Sequence, residues 1–504
     1  MKNQVQLITY VDRLSGGGFQ ELAALLRGPL RGLFGGVHVL PFFPPIDGAD
    51  AGFDPADHTQ VDPRLGDWQD VRDLADVAEV MADVIVNHVS VNSPQFQDVV
   101  AQGAASRYDG LFLTPDRVFP GGPTPEEAAA IYRPRPGLPF SQQPLADGTL
   151  RDCWTTFTPQ QLDIDVAHPE GKAYLSGILH TFAVNGIRMV RLDAIGYAIK
   201  KRGTSCFMLP ETFDFIAAFA AEAKALGIEV LVEIHSYYQR QVEIARHVDW
   251  VYDFALPPLV LHAFEFNTAA SLKAWIAVRP TNALTVLDTH DGIGIVDIGA
   301  DAADREGSPG LVPPEELDAL VEAIHRNSGG ASRLATGAAA SNLDLYQVNC
   351  TFYDAMARND RDYLLARAIQ FFLPGVPQVY YVGALAGTND LALLQRSGVG
   401  RDINRHYYDA AEVVAELQRP VVAQLCSLIT LRNRHPAFQG EFVLEDSASD
   451  VLALRWNAGE HQVRLWLNLT TREHRIEATP VAGLPTELVF AEDVPLLRRA
   501  NASR

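Results

Sequence analysis

Positive charge is scarce in this sequence of 504 residues, in which 41 lysines and arginines face 62 aspartates and glutamates. The formal charge of −21 argues against nucleic acid and anionic membranes as partners, because both require clustered cations. An anionic substrate would therefore depend on arginine or histidine side chains placed close to it. We expect small-molecule partners, and neither a nucleic acid nor a membrane.

Cysteine is sparse as well, with only Cys153, Cys206, Cys350 and Cys426. They are widely scattered and form no CxxC pair, so neither a zinc site nor a secreted disulfide framework is indicated. Apolar runs approaching 18 residues are also missing, and the start of the chain passes directly into the β-like run Val5–Tyr10 without the pattern of a signal peptide. We expect a soluble, reduced, cytoplasmic protein.

The chain is longer than the roughly 250–300 residues that usually share one core, so one large domain with insertions or attachments is expected. Its composition, 47% hydrophobic and 20% charged, is ordinary for a globular protein. Short β-like runs alternate with helical stretches, which predicts an α/β fold and specifically a closed (β/α)8 TIM barrel. The eight runs are Val5–Tyr10, Val37–Phe42, Val84–His88, Ile187–Ala194, Val230–His235, Trp250–Leu256, Ala283–Asp291 and Val376–Val382.

Two long gaps between these runs predict insertions. The first follows the third run and contains the Pro/Gly-rich stretch Thr114–Phe140, and the second follows Asp291 and contains the acidic stretch Ala300–Asp318. Alternating apolar residues after Ala437 predict a small antiparallel β domain. The predicted boundaries are 1–86, 168–292 and 358–437 for the barrel, 87–167 and 293–357 for the insertions at its C-terminal face, and 438–504 for the C-terminal β domain.

Three of the apolar runs end on an acid. Arg191 and Asp193 end the fourth run, and alternation along a strand places them on the same face. A lone acid at a strand end would more simply cap a helix or face water. Three together favour a shared site, because catalytic groups gather at the carboxyl ends of parallel strands. The other acids are Glu233 after Val230–Val232, with His235 close by, and Asp288 and Asp291 after Leu284–Leu287, with His290 close by.

Two carboxylates on either side of one bond can carry out double displacement at a sugar carbon, and a retaining enzyme holds them about 5–5.5 Å apart. Arg191 would keep Asp193 ionised, which suits the nucleophile. Glu233 follows an apolar run in less charged surroundings, which suits the acid/base. Asp291 would then stabilise positive charge on an oxocarbenium-like transition state.

The histidines offer an alternative interpretation. His88, His235 and His290 lie at or near strand ends, and a cluster of histidine and aspartate can bind zinc. A metal site is disfavoured, because no ligands occur at tight helical spacing and no cysteine lies beside them. Neutral hydrogen-bond partners for sugar hydroxyls are the better explanation.

These segments resemble a known family. Val84–His88, Arg191–Ala194, Glu233 and Leu287–Asp291 are similar to the four conserved regions of the α-amylase superfamily of retaining α-glucosyl enzymes, in the same order. Within it, further stretches resemble the phosphorylases that cleave sucrose, and this resemblance extends over nearly the whole chain. These stretches are Ile46–Asp54, Tyr132–Phe140, Gly203–Phe207, Ala338–Tyr346 and Gly400–Tyr407.

The resemblance implies reversible phosphorolysis of sucrose to α-glucose 1-phosphate and fructose, with retention through a covalent glucosyl-enzyme and with transglucosylation to other acceptors. It implies no metal and no organic cofactor, and it allows a homodimer. Asp193 is the implied nucleophile, Glu233 the acid/base and Asp291 the transition-state stabiliser. Substrate-binding residues are implied on the glucosyl side at Asp50, Phe53, His88, Phe157, Arg191, His290 and Arg401, on the acceptor side at Tyr132, Pro134, Arg135, Tyr197, His235, Leu343, Asp344, Tyr346 and Gln347, and also at Gln161.

The acceptor residues raise a physical question. Phosphate is a dianion that approaches three acids, so it needs a nearby guanidinium, and Arg135 on a proline-rich loop is a credible donor. Asp344 is suited to fructose hydroxyls but would repel phosphate. If one loop serves both ligands, we expect it to move between the two half-reactions.

Three rival functions follow from the same residues. A sister phosphorylase acting on sucrose 6′-phosphate, glucosylglycerol or glucosylglycerate would share the glucosyl pocket and differ in the acceptor loops, which here resemble the sucrose type. A hydrolase would use water as the acceptor. A non-enzymatic transporter subunit of the superfamily would lack the acids and carry a membrane helix, whereas this chain has the acids and lacks a long apolar run.

Overall fold

The computed structural model of the chain describes residues 1–48, 50–133, 137–301, 308–336 and 347–490. Eight parallel strands close into a barrel, in which the last strand pairs with the first through Gln6 and Gln378. The predicted TIM barrel is thereby confirmed, and each of the eight predicted runs overlaps one barrel strand. The barrel strands are β1 (Gln6–Thr9), β2 (Gly36–Val39), β3 (Glu79–Ile85), β4 (Ile187–Asp193), β5 (Glu229–Val232), β6 (Trp250–Asp253), β7 (Ala283–Thr285) and β8 (Val376–Tyr380).

Strand β3 differs most from its prediction. It begins at Glu79 rather than Val84, and His88 belongs to a separate short strand, His88–Ser90. The predicted start of the strand lies too far along the chain because the charged residues Glu79 and Asp83 interrupt the apolar pattern. Asp83 is nevertheless buried inside the barrel, where neighbouring strands supply its partners.

The register of the central strands sets the level of the candidate site. Asp193 of β4 pairs across from Ile85 of β3, and Leu192 pairs across from Val232, the last residue of β5. Glu233 follows Val232 directly, so it lies level with Asp193 at the carboxyl end of the barrel. Parallel pairing therefore brings two acids that are distant in the chain to the same edge.

The helices surround the barrel and build part of both insertions. One of them spans Pro210–Ala225, and Gly227 just beyond it has the positive φ of a helix terminator. None of the helices in the described residues is long and apolar enough to cross a membrane. The helices are Val11–Ser15, Phe19–Arg27, Trp68–Ala75, Pro94–Gln102, Pro115–Val118, Pro125–Ala130, Pro169–Val184, Pro210–Ala225, Tyr238–Ile244, Leu256–Phe266, Ala270–Val278, Pro314–Asn327, Ala331–Leu334, Phe352–Ala355, Asp360–Phe372, Tyr381–Ala384, Leu391–Ser397, Ala410–Glu416 and Pro420–Arg434.

Both insertions leave the barrel at the carboxyl ends of strands, after β3 and after β7. They contain short antiparallel pairs, and a further antiparallel sheet of five strands closes the chain, as predicted. The indole of Trp456 in this sheet donates to the Phe372 carbonyl at 2.7 Å, which joins the sheet to the barrel's outer layer. The paired strands are His88–Ser90 with Gln161–Asp163, Phe140–Pro144 with Leu150–Trp154, Ile293–Gly294 with Gln347–Val348, and the C-terminal series Glu441–Leu444, Val451–Ala458, His461–Asn468, His474–Ala478 and Glu487–Leu488.

Candidate active site

Arg191 organises the carboxyl end of the barrel. Its side chain is 1% exposed, and one terminal nitrogen, Nη1, lies 2.5 Å from Asp83 Oδ1 and 3.1 Å from Asp193 Oδ1. The other terminal nitrogen, Nη2, pairs with Glu233. The predicted nucleophile and the predicted acid/base are therefore held by one guanidinium, whose planar fork can receive two carboxylates at once.

This sharing changes the predicted charge state of the pair. Burial raises the pKa of Asp193 well above its usual range, with Arg191 opposing and Glu233 and Asp83 adding to the rise. The predicted contact between Arg191 and Asp193 is present, but the one positive charge of Arg191 is divided among three carboxylates. Glu233 is likewise not in less charged surroundings, since it pairs with the same arginine. Asp193 and Glu233 therefore compete for the same cation.

A buried polar layer lies beneath this pair and was missed by the sequence analysis. His38 Nε2 lies 3.0 Å from Asp83 Oδ2, and the Tyr252 hydroxyl lies 3.4 Å from His38 Nδ1. Burial works against ionisation of Asp83, but His38 and Arg191 lower its pKa to about 2. His38 and Asp83 are ionisable residues, each inside an otherwise apolar strand. They were the signal in the sequence that could have located this layer.

Asp291 has its own arginines. Its Oδ1 lies 3.0 Å from Arg401 Nη1 and 3.9 Å from Arg405 Nη2, and its Oδ2 lies 3.6 Å from His290 Nε2. Burial opposes ionisation, yet Arg401, His290, Arg191 and Arg405 together hold the pKa of Asp291 well below its usual range. Asp291 is therefore a permanent negative charge, which is the property required to stabilise a positive transition state. The fully buried Arg405 was not predicted.

The predicted residues Asp50, Arg401 and Gln347 come together although they are far apart in the chain. Asp50 Oδ2 lies 2.6 Å from Arg401 Nη1, and Arg401 Nη2 donates to Gln347 Oε1 at 3.4 Å. Burial opposes ionisation of Asp50, but Arg401 and Arg405 lower its pKa to about 2. The backbone of Asp50 is left-handed, with φ of 49°, which turns this carboxylate toward the arginines.

Phe53, His88, Phe157 and His290, which are predicted to line the glucosyl side, make ring contacts in pairs, and together they are called the glucosyl wall. The Phe53 and His290 rings stack with centroids 4.9 Å apart, and the Phe157 and His88 centroids lie 5.2 Å apart. Burial lowers the pKa of His290 to about 3 and also lowers the pKa of His88, so both imidazoles are neutral hydrogen-bond partners. Gln161 Nε2 donates to the Phe53 carbonyl at 3.1 Å and thereby joins the wall.

The predicted acceptor side is also aromatic. The Tyr197 ring stacks on Tyr132 at 6.2 Å, meets Phe157 edge-on at 5.2 Å and contacts Phe207 at 4.8 Å. Tyr132 is 44% exposed, so this cluster reaches the surface. Phe207 was not singled out from the sequence, although it ends the stretch Gly203–Phe207 that contributed to the resemblance.

His235 was predicted to be a neutral hydrogen-bond partner like His88 and His290, but it has a buried carboxylate partner that favours its charged form. Its Nδ1 lies 2.9 Å from Asp297 Oδ2, and its ring stacks on Phe254 at 3.9 Å. Burial alone would lower the pKa of His235, but Asp297 raises it above the usual value. Asp297 was missed from the sequence; it is fully buried and also accepts from Ser236 N at 3.1 Å and Gln241 Nε2 at 2.9 Å.

One group at this site has the composition of a metal site. Ligand atoms of Glu233, His235 and Asp291 all lie within 4.8 Å of one another. Each of the three already has a charge partner, since Glu233 pairs with Arg191, Asp291 with Arg401 and His235 with Asp297. We therefore interpret the group as part of a site of carboxylates and histidine in which side chains, and not a metal ion, are the charge partners. Because Glu233 and Asp291 lie this close together, Asp291 is beside the two carboxylates, Asp193 and Glu233, that Arg191 holds.

Five of the predicted acceptor residues lie outside the described residues. They are Pro134, Arg135, Leu343, Asp344 and Tyr346. The flanking residues Tyr132 and Gln347 are described. Tyr132 belongs to the aromatic cluster, and Gln347 accepts a hydrogen bond from Arg401.

The sequence and structure of this chain are similar to those of known proteins. The model of the family "Alpha amylase, catalytic domain" matches residues 33–257. A sucrose phosphorylase of Agrobacterium vitis is 58% identical over 95% of this chain and 98% of its own length, and that of Bifidobacterium adolescentis is 53% identical over 97% and 96%. The crystal structure of sucrose 6F-phosphate phosphorylase from Thermoanaerobacter thermosaccharolyticum superposes with a TM-score of 0.88 at 35% identity, covering 97% of this chain and 99% of that chain.

Proposed function

Because the chain belongs to the sucrose phosphorylase family of the α-amylase superfamily, we propose that it catalyses the reversible phosphorolysis of sucrose to α-D-glucose 1-phosphate and D-fructose. The observation that carries this proposal is the convergence of three carboxylates at the carboxyl end of the barrel. Asp193 and Glu233 share the guanidinium of Arg191, and Asp291 lies beside them on Arg401.

In the first half-reaction, ionised Asp193 attacks C1 of the glucosyl unit while protonated Glu233 gives its proton to the departing fructose oxygen. This arrangement puts the negative charge on Asp193, which Arg191 contacts at 3.1 Å, and the proton on Glu233. The C1–oxygen bond breaks as the Asp193–C1 ester forms with β configuration. In the second half-reaction, an oxygen of hydrogenphosphate attacks C1 from the face opposite to Asp193 as the Asp193–C1 ester bond breaks, and the proton of the hydrogenphosphate passes to Glu233. The product thereby regains the α configuration.

The remaining groups stabilise and orient the sugar. Asp291, kept ionised by Arg401, faces the positive charge that develops at the ring oxygen and C1. Asp50 and Arg401 offer acceptor and donor atoms to glucosyl hydroxyls, and the neutral imidazoles of His88 and His290 add further hydrogen bonds. The ring of Phe157 offers an apolar face on which a pyranose can stack.

The acceptor side must receive a dianion close to three acids. His235, whose pKa Asp297 raises, is one group that can carry positive charge there, and Arg135 is the guanidinium predicted to supply another. Fructose, which is neutral, leaves through the same aromatic cluster of Tyr132 and Tyr197. Sucrose is favoured over sucrose 6′-phosphate as the donor because identity is higher to the two sucrose phosphorylases than to the sucrose 6F-phosphate enzyme.

The test is sucrose consumption with and without inorganic phosphate, together with enzymatic detection of glucose 1-phosphate. We expect glucose 1-phosphate and fructose in equal amounts, and slow sucrose consumption when phosphate is left out. Equal rates without phosphate would identify a hydrolase instead. Sucrose 6′-phosphate, glucosylglycerol and glucosylglycerate serve as alternative donors, and faster phosphorolysis of any of them would overturn the substrate assignment.

The Asp297–His235 pair gives a pH prediction. Asp297→Asn removes the charge that raises the pKa of His235, so the imidazolium is lost at lower pH and the alkaline limb of phosphate use shifts toward acid. At neutral pH we expect kcat/KM for phosphate to fall about tenfold or more, because a hydrogen bond to a charged group contributes about 1.5–3 kcal/mol. The measurement is the pH profile of kcat/KM for phosphate, with release of fluoride from α-glucosyl fluoride as the internal control. An unchanged profile would remove His235 from the phosphate site.

We also propose a cytoplasmic location and a homodimer. All four cysteines are free, and Cys153, Cys206 and Cys350 are buried, which suits a reducing compartment. We propose the same domain boundaries as the sequence predicts, with the insertions emerging after β3 and β7.

A further inference from the structure

A single buried ammonium group links three segments around the active site. The side chain of Lys200 is 2% exposed, and its Nζ lies 2.5 Å from Asp163 Oδ2, 2.6 Å from Asn87 Oδ1 and 2.5 Å from the Tyr197 carbonyl oxygen. An ammonium group has three protons, so each finds one oxygen. Asn87 follows the end of β3, Asp163 belongs to the insertion after β3, and Tyr197 lies in the turn after β4.

Each of these oxygens belongs to a segment that carries a residue of the site. Asn87 directly precedes His88 of the glucosyl wall, and the Tyr197 ring forms the acceptor cluster. Asp163 also accepts from Thr156, from its N at 2.9 Å and its Oγ1 at 2.6 Å, and Thr156 directly precedes Phe157. The ammonium group thus holds both sides of the aromatic wall where Phe157 and Tyr197 meet.

The turn that Lys200 closes also carries the nucleophile. Ala194, immediately after Asp193, has φ of 56° and ψ of 22°, a left-handed conformation that a residue with a Cβ rarely adopts. A short 3-10 helix, Ile195–Tyr197, follows it and ends at the carbonyl that Lys200 binds. The contacts of Lys200 therefore fix the far end of a strained turn whose near end is Asp193.

We propose that Lys200 is a positioning residue for phosphorolysis, which sets the acceptor wall of Phe157 and Tyr197 relative to Asp193 without touching the substrate. The proposal rests on the proposed function, because it concerns the fate of the glucosyl-enzyme. Loss of the ammonium group leaves the buried Asp163 carboxylate and the Tyr197 carbonyl without their cation, so the wall shifts. Water needs little positioning as an acceptor, whereas phosphate must be aligned, so phosphate use is lost first.

The test is the partition of the glucosyl-enzyme between phosphate and water, measured as the ratio of glucose 1-phosphate to glucose formed at one fixed phosphate concentration. This ratio does not depend on the amount of folded enzyme, so a purely structural role would leave it unchanged. For Lys200→Met we expect the ratio to fall about tenfold. Lys201→Met is the matched control, since Lys201 is the neighbouring lysine, is 58% exposed and pairs with Glu211, and we expect it to keep the wild-type ratio.

Two further variants make the test decisive. Lys200→Ala leaves space for a small amine, and added ethylammonium should restore the ratio, whereas the same concentration of sodium ion should not. If Lys200→Met does not fold, the double variant Lys200→Met/Asp163→Asn removes the unpaired buried carboxylate, and its ratio should still be low. A wild-type ratio in the folded variants would overturn the positioning role. Failure of the wild-type protein to form glucose 1-phosphate would instead overturn the proposed function.

Discussion

Asp193→Asn is expected to lower sucrose phosphorolysis by about ten-thousand-fold or more, because the amide cannot form the covalent ester and loss of a nucleophile removes the reaction path. The fold should persist. Burial raises the pKa of Asp193, and a carboxyl group whose pKa is raised on folding destabilises the native state once the pH exceeds its unfolded pKa. At neutral pH the neutral amide should therefore leave Tm unchanged or raise it, as often occurs at functional sites.

The measurement is kcat with sucrose and phosphate, together with Tm at neutral pH. Asp47→Asn serves as the control for the same chemical change, because the Asp47 side chain is 72% exposed and its charge partner is Arg64. Residual activity within about a hundredfold of wild type would reject the nucleophile assignment, since an enzyme keeps far less once its nucleophile is gone.

A second variant identifies the face of attack. In Asp193→Ala, added azide can occupy the space of the lost carboxylate and attack α-glucosyl fluoride from that side. The product should be β-glucosyl azide, because attack opposite the leaving group inverts the anomeric centre. Formation of α-glucosyl azide would place the nucleophile on the other face and contradict the assignment.

The barrel was predictable from the sequence because it depends on local patterns. Apolar runs separated by helical stretches mark all eight strands, and the acids at the ends of β4 and β5 become neighbours through parallel pairing alone. The start of β3 was not predictable in the same way. Asp83 breaks its apolar pattern, and the compensation for that buried charge comes from His38 and Arg191 on the adjacent strands.

The charge partners within the site were the least predictable part. Which carboxylates share Arg191 depends on side-chain packing between strands, so the sequence suggested an ionised Asp193 where burial and neighbouring acids raise its pKa. The Asp297–His235 and Lys200–Asn87 contacts join residues 62 and 113 positions apart. No spacing rule connects such residues, and they become visible only once the insertions are folded against the barrel.

Glu233→Gln is expected to slow only those substrates whose leaving group needs a proton. We expect sucrose phosphorolysis to fall by about a hundredfold to ten-thousand-fold, the usual contribution of a general acid, because fructose leaves poorly without a proton. Fluoride needs no proton to leave, so release of fluoride from α-glucosyl fluoride should stay within about tenfold of wild type. The glutamine can still accept a hydrogen bond from Arg191, so the geometry of the pair is kept.

The acceptor then distinguishes the two roles of Glu233. Phosphate arrives as an anion and needs little help from a base, whereas water must lose a proton as it attacks C1. With α-glucosyl fluoride as the donor, Glu233→Gln should therefore remain fast with phosphate and become slow with water alone. Glu211→Gln, a change at a partly exposed residue that pairs with Lys201, should behave as wild type with every substrate. Equal losses with sucrose and with the fluoride would show that Glu233 transfers no proton, and its place on Arg191 would then be only structural.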